Sequence, residues 1–375
     1  MREYTETENS VNALHLPCPS CGNHLEYLAE NRSICCSHCG YEEALNKSND
    51  QVIEKDLHAA IKDVDKFIPE EGGKKVFDCG NCGAKFMVEH DKLKVNCGFC
   101  GSKNVNLDAH KHQYIKPLGI IPFYVSREEA NKKFNRWIKQ GAFHPNKLRR
   151  MAALEDLHGV YIPFWTYDAK TQSTWSGEAG HYSSQGAAMP SRGRIRNQRV
   201  PQVNWRSRKG NIEHFFDDVL VVASGELAQE EMDKVTPYRL EEVVNYDPRL
   251  LMGWEAEVYQ IEINDGYKIA EQIIDHRLRN MCSAQLGGDT QRNLHVNSRK
   301  SAQTYKHLIL PLWICSYTYQ GKIYRFLING QTGRVNGQKP LSYFKIGILI
   351  LLFILFLVGI WYLRYSGVLQ GKFNF

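Results

Sequence analysis

Cys18-Pro19-Ser20-Cys21-Gly22, Cys36-Ser37-His38-Cys39-Gly40, Cys79-Gly80-Asn81-Cys82-Gly83 and Cys97-Gly98-Phe99-Cys100-Gly101 are four versions of one short phrase. They form two sets, each a C-x2-C pair, 14 intervening residues and a second pair, and the second set repeats the first at a shift of 61 at every Cys. Two thiolates at that separation grip one tetrahedral metal from a tight turn, and the Gly that follows supplies the positive φ the turn needs. The duplicated spacing predicts two zinc ribbons, residues 15–46 with ligands Cys18, Cys21, Cys36 and Cys39, and residues 74–108 with ligands Cys79, Cys82, Cys97 and Cys100, hence two Zn2+ per chain. Iron in a rubredoxin-like site would use the same ligands. Cys35, beside Cys36, and His38, inside the knuckle, are the two residues placed to replace a neighbour; Cys36 is the one that preserves C-x2-C.

Eight of the 11 Cys sit in metal spacing, and Cys35, Cys282 and Cys315 form no further pattern, so the usage suits a reducing compartment rather than a disulfide framework. The first 25 residues are polar and acidic, which is not a signal peptide; residues 1–14 read as disordered.

The other end is greasy. Ile346 to Leu363 is a run of 18 residues without a charge, between Lys345 and Arg364. At 1.5 Å per residue it reaches roughly 27 Å, close to the thickness of a bilayer's hydrocarbon core. Tyr343, Phe344, Trp361 and Tyr362 supply interfacial aromatics. A buried core helix is the competing reading, but such a helix would carry a polar face and this one has none. Residues 344–364 are therefore expected to span a membrane, with 365–375 as a short tail. Arg325, Arg334, Lys339 and Lys345 precede the run, and only two basic residues follow it, so the bulk of the chain is expected on the cytoplasmic side of a bacterial inner membrane.

The net charge of +6 divides unevenly: residues 1–112 hold 13 Lys+Arg against 18 Asp+Glu, net −5, and the remainder carries +11. Each zinc with four thiolates adds a further −2. An acidic ribbon half argues against phosphate contacts, so nucleic acid is not the favoured partner. The basic residues lie elsewhere, in Arg192, Arg194, Arg196, Arg199, Arg206, Arg208 and Lys209, where the 192/194/196 alternation would put three guanidinium groups on one strand face, and in Lys132, Lys133, Arg136, Lys139, Lys147, Arg149 and Arg150. A solvated surface, anionic lipid headgroups near the anchor and nucleic acid are the three readings of these groups.

Between the ribbons, residues 47–73 read as an amphipathic helical linker: Ile53, Leu57, Ile61, Val64 and Ile68 recur at helical spacing over Asp50 to Ile68, after a possible N-cap at Ser48 or Asn49. Such a helix packs on its own chain or docks a partner protein. In the second ribbon Ala84, Phe86 and Val88 alternate with polar residues ahead of Leu93 and Val95, the pattern of a β-hairpin. Residues 113–338 mix the two periods and read as an α+β domain. Helices are expected at Arg127–Gln140, Glu226–Leu251 and Gly266–Leu286, and strands at Ile120–Tyr124, Tyr161–Tyr167, Leu310–Tyr317 and Tyr317–Val335. Pro163 before Trp165 and Pro311 before Trp313 make a weak internal repeat.

No P-loop, H-E-x-x-H, G-x-S-x-G or G-x-G-x-x-G occurs, and all-Cys sites leave no open metal position, so the chain is not expected to be an enzyme or to have a small-molecule substrate. His214 with Asp217 and Asp218 reads as a surface cluster.

The paired ribbons, Tyr161–Tyr167 with Trp165, Leu251-Met252-Gly253-Trp254-Glu255-Ala256-Glu257, Gly287-Gly288-Asp289 and Leu327-Ile328-Asn329-Gly330-Gln331-Thr332-Gly333 together resemble a family of bacterial membrane proteins with tandem TFIIB-type zinc ribbons. Members often carry a label for primosomal protein N-prime, a superfamily II helicase, but this chain lacks the nucleotide-binding loop of such a motor. Members tend to be encoded beside flotillin-like (SPFH-domain) and phage-shock-type proteins. The resemblance implies a membrane adaptor in envelope maintenance or stress whose ribbons recruit a cytoplasmic protein. A membrane-tethered nucleic-acid binder is the rival expectation.

Overall fold

The computed structural model describes residues 17–23, 25–44, 52–60, 66–67, 74–89, 96–100, 102–107, 113–141, 144–145, 157–183, 202–320 and 322–365. Residues 1–14, Leu93, Val95, Arg192–Arg199, Lys147, Arg149, Arg150 and the tail 366–375, about which the sequence raised expectations, lie outside them.

The chain opens on a small antiparallel sheet of β1 (Glu26–Leu28), β2 (Ser33–Cys35) and β3 (Glu42–Ala44), with Tyr27 opposite Ile34 and Ile34 opposite Glu43. The first Cys pair precedes β1 and the second fills the β2–β3 turn. Gly22 and Gly40 both sit at φ 75°, closing each knuckle in the left-handed region that a side chain resists.

The linker corrects an expectation. Instead of one helix of five turns over Asp50–Ile68, the described residues form β4 (Lys55–Asp56), the single turn α1 (Leu57–Ala60) and β5 (Lys66–Phe67). β4 pairs with Thr304 and Tyr305 of the main sheet, and β5 with Tyr114 and Ile115. Leu57 is buried but Ile53 is 81% exposed, so these two do not share one buried face; Ile61, Val64 and Ile68 lie outside the described residues. Pairing to strands far along the chain outweighs local periodicity here.

The second ribbon is β6 (Lys74–Cys79), β7 (Lys85–Glu89) and β8 (Val105–Leu107), with β6 in the centre. Ala84, Phe86 and Val88 are buried, as their alternation predicts, and Met87 on the other face is buried as well. The hairpin, however, joins β7 to the strand preceding the first knuckle.

After β9 (Tyr114–Ile115), β10 (Gly119–Ile120) and α2 (Arg127–Lys139), the fold is dominated by three long strands: β11 (His158–Ser183), β12 (Gln202–Val222) and β15 (Thr290–Tyr319). At ~3.3 Å per residue, β15 with its 30 residues is on the order of 100 Å long. β11 lies between its two antiparallel neighbours, β12 and β15, with bulges next to Asp168 and near Gly177. The long strands are joined by α3 (Gln229–Val235), β13 (Val244–Asn245), β14 (Glu255–Glu257) and α4 (Ile263–Leu286). β16 (Lys322–Asn329) and β17 (Val335–Gly337) follow. The result is a twelve-stranded sheet in which β14 hydrogen-bonds to β11 on one side and β7 on the other. The central domain is therefore mostly sheet, not a balanced α+β domain.

α2 and α4 lie where their periodicity puts them, but the helix expected over Glu226–Leu251 breaks into α3, two 3-10 turns (Leu240–Glu242 and Pro248–Leu251) and β13. Pro237 and Pro248 lack the N–H a continuous helix would need. The Pro/Trp repeat falls on neighbouring strands: Tyr161 faces Pro311, Pro163 faces Ile309, and both indoles donate 2.9 Å hydrogen bonds to loop carbonyls, Trp165 to Ile261 and Trp313 to Val125.

The last element, α5 (Tyr343–Tyr365), is long and apolar enough to cross a membrane, and none of it is buried against the rest of the protein.

Candidate metal centres

In the first ribbon Cys18 Sγ lies 3.5 Å from Cys39 Sγ, and Cys21 Sγ 3.6 Å from Cys36 Sγ. In the second, Cys79–Cys100 and Cys82–Cys97 are both 3.6 Å apart. Within each set all four sulfurs lie within 4.8 Å of one another. These gaps are far beyond a sulfur–sulfur bond and close to the edge, roughly 3.8 Å, of a tetrahedron of sulfurs about 2.3 Å from a central ion. The eight cysteines read from the spacing are the eight the fold brings together, and each set is a donor group fit for one metal ion. Cys35 Sγ stands outside, 3.2 Å from Ser33 Oγ, and Cys36 occupies the cage; His38 is exposed.

The thiols show why a cation belongs there. Backbone N–H groups of Cys39 and His38 aim at Cys36 and hold it down to about 6, while Cys39, despite the N–H of Tyr41, is pushed up to about 12 by Cys21 and burial. In the second cage burial opposes ionisation of Cys79, but the N–H groups of Cys82 and Asn81 lower it; its neighbour Cys97 raises Cys82 strongly. Four sulfurs this close cannot all carry charge without a positive ion among them.

The two cages differ in their surroundings. In the first, Cys21 and Cys39 are exposed, with Pro19, Ser20, Ser37 and His38 around them. That ribbon is stitched to the body behind its knuckles: Tyr27 is buried and its hydroxyl donates to Phe123 O at 3.1 Å, Trp254 Nε1 donates to Tyr27 O at 3.1 Å, and Arg249 pairs with Glu43 at 3.0 Å. The second cage is built into one core cluster of the main sheet, and Cys18 and Cys36 of the first lie in the other, larger one with Tyr27 and Ile34. Cys79, Cys97 and Phe99 pack with Val160, Ile162 and Ile314, and Ser316 Oγ donates to Phe99 O at 2.5 Å. Beside it lies Glu257, fully buried, with one oxygen accepting from Ser224 Oγ at 2.7 Å; burial pushes its carboxyl up to about 8.

A third cluster joins distant segments. His214 and Asp217 are exposed, as read from the sequence, but Asp217 also comes together with Glu54 and Asp168, and Lys306 Nζ reaches Asp218 at 2.7 Å and Glu54 at 3.1 Å. Asp168 is buried, accepts from Thr304 Oγ1 and the Asp218 N–H at 2.6 Å each, and is pushed up to about 6 by burial. The Lys306 ammonium supplies the positive charge, so this is an ion-paired clasp that fastens the linker to the sheet. Two adjacent aspartates were visible in the sequence, but Glu54, more than 100 residues away, was not a partner any spacing could name.

Over 336 residues the chain is 28% identical to the uncharacterized protein YdjG of Bacillus subtilis (strain 168), covering 88% of this chain and 91% of that protein. No family model matches the chain, and no solved structure matches it.

Proposed function

We propose that the protein is a non-enzymatic, single-pass membrane adaptor holding two Zn2+, with the first ribbon offered to a cytoplasmic protein partner. The observation that carries this is the asymmetry of the cages. Both present four cysteines and so leave no coordination position for a substrate, which suits structural zinc. Both ribbons are rooted in core clusters, but Cys21 and Cys39 at the tips of the first are exposed whereas Cys82 and Cys100 of the second are half-buried. The acidic charge of the ribbon half favours a basic partner face and disfavours nucleic acid. α5 would anchor the chain, and unpaired thiolates together with the basic flank before α5 favour the cytoplasmic face of a bacterial inner membrane. A role in envelope maintenance or stress, beside flotillin-like or phage-shock-type proteins, follows only from the resemblance of the sequence.

Affinity purification of the full chain from native membranes tests this reading. A stoichiometric protein partner is expected with the wild type and not with Pro19, Ser20, Ser37 and His38 changed together to Lys, which reverses the local charge. Recovery of no partner, or of the same partner with both chains, sinks it.

A further inference from the structure

We infer that the outer face of α2 is an anionic-phospholipid-binding surface that holds the soluble body against the membrane; this rests on α5 being the anchor. α2 buries Ala130, Phe134 and Ile138, a stripe at four-residue spacing. Lys132, Arg136 and Lys139 fall at i, i+4 and i+7, on the opposite side of the helix, and all three are exposed. None of the three has an acidic partner among the described residues, in contrast to Lys133, which pairs with Glu129 at 3.4 Å.

The C-terminal end of α2 is joined to the root of α5. Lys339 lies over the Trp137 ring at 4.3 Å and donates to the Trp137 carbonyl and, at 2.7 Å, to Gln140 O. His144 Nδ1 meets Pro340 O at 3.1 Å, and Lys345, in the first turn of α5, donates to His144 O at 2.8 Å. The charge-free run begins at the next residue, Ile346. The end of α2 is thus held close to the root of α5, which, as an anchor, would enter the bilayer through the phosphate layer just outside the hydrocarbon core.

Charge along α2 changes sign in the same direction. Glu128 and Glu129 occupy the first turn, farthest from that root, and the three cations follow toward it. Seven residues from Lys139 to Lys132 span roughly 10 Å of helix, a little over the ~8 Å Debye length at physiological salt, so attraction to an anionic surface is strongest at Lys139 and Arg136 and weakest at Lys132. The chemistry is that of phosphodiester headgroups bearing net negative charge: flexible ammonium and guanidinium groups on one outward stripe, with an indole at the interfacial level.

The test uses the full chain in detergent micelles containing equal phosphatidylglycerol and phosphatidylcholine, with bound lipid extracted and quantified. Wild type should enrich phosphatidylglycerol, by about fivefold for each cation engaged, and should lose the enrichment as salt is raised. Lys132→Gln, Arg136→Gln and Lys139→Gln together should abolish most of it, and the charge-keeping set Lys132→Arg, Arg136→Lys and Lys139→Arg should retain it. Equal enrichment in the wild type and the Gln variant, or none in the wild type, overturns the assignment. Alkali-resistant insertion into pure phosphatidylcholine vesicles reports on α5 alone. If the wild type fails to insert there, the anchor reading falls and this inference with it; if insertion stands while the lipid preference ignores the stripe, only this inference falls.

Discussion

Eight cysteines bear most of the chemistry of this chain, yet their replacement should not be equivalent. Cys39→Ser opens a cage at the exposed edge of a small sheet, whereas Cys97→Ser opens one whose residues share the core with Val160 and Ile314. Each variant should fall from two zinc per chain to one, measured by mass spectrometry of the purified protein. Cys97→Ser should also lower the thermal midpoint of the whole body, because metal binding supplies a ribbon's folding energy and here that ribbon is continuous with the main sheet. A wild type holding one zinc contradicts one cage, and one holding none contradicts both. Glu257 offers a pH test at the same scale. Its folded pKa, about 8, lies above the unfolded value of 4.5, so its contribution is fully favourable below about 4.5 and is lost as pH rises through about 8. Glu257→Gln keeps an acceptor for Ser224 and removes the charge, so the variant should gain stability over wild type as pH goes from 5 to 8. The comparison is of melting midpoints at each pH, where effects common to both chains, including protonation of the thiolates, cancel. A difference that does not grow with pH refutes the assignment.

Among the elements, α4 shows how packing can call for a residue that a helix otherwise avoids. Gly266 lies within α4, where Gly costs about 1 kcal/mol against Ala. A Cβ there would stand 2.5 Å from the Tyr167 hydroxyl and 2.8 Å from Trp165 Cδ1, and that hydroxyl is held by the Ile263 carbonyl at 2.7 Å. Gly266→Ala should therefore destabilise by about 1–3 kcal/mol despite its better helix propensity, as measured by denaturant unfolding. An unchanged or stabilised variant would show that the two rings give way. Further along the long strands, Trp175, Ala179 and Ile212 pack beneath Cys282 and Leu286 of α4, which makes that helix the cover of the distal part of β11 and β12. Lys170, Gln172, Thr174 and Ser176 alternate with these on the open face, the period-2 signature of a half-buried strand. The linker fails the same kind of reading. Its apolar residues at helical spacing are real, but one of them, Ile53, is exposed, and the neighbouring backbone is drawn into strands by β15 and β9.

For the molecule as a whole, α5 decides behaviour in water. Its apolar side chains from Ile348 to Leu363 are exposed, far more than a soluble chain leaves uncovered. Removing residues 343–375 should move the protein from the membrane pellet to the supernatant without detergent while leaving two metal ions bound. A full-length chain that stays monomeric and soluble without detergent would exclude the anchor.

What the amino-acid order determined by itself is local: the cysteine cages, the two glycine-closed knuckles of the first ribbon, α2 and α4, the strands through Trp165 and Trp313, and the uncharged C-terminal run. Each follows from spacing along a few turns or a few strand residues, because metal geometry and backbone period act over that distance. Tertiary structure decided the rest. It made the central domain mostly sheet, placed β14 between β7 and β11 and thereby joined the second ribbon to the main sheet, and rooted the first in the larger core cluster with Cys21 and Cys39 left exposed. It also brought Glu54 to Lys306 and set α2 beside the root of α5. Those outcomes depend on which strands pair and which charges meet across long stretches of chain, and such choices are made by the free energy of the assembled core, which no local window contains.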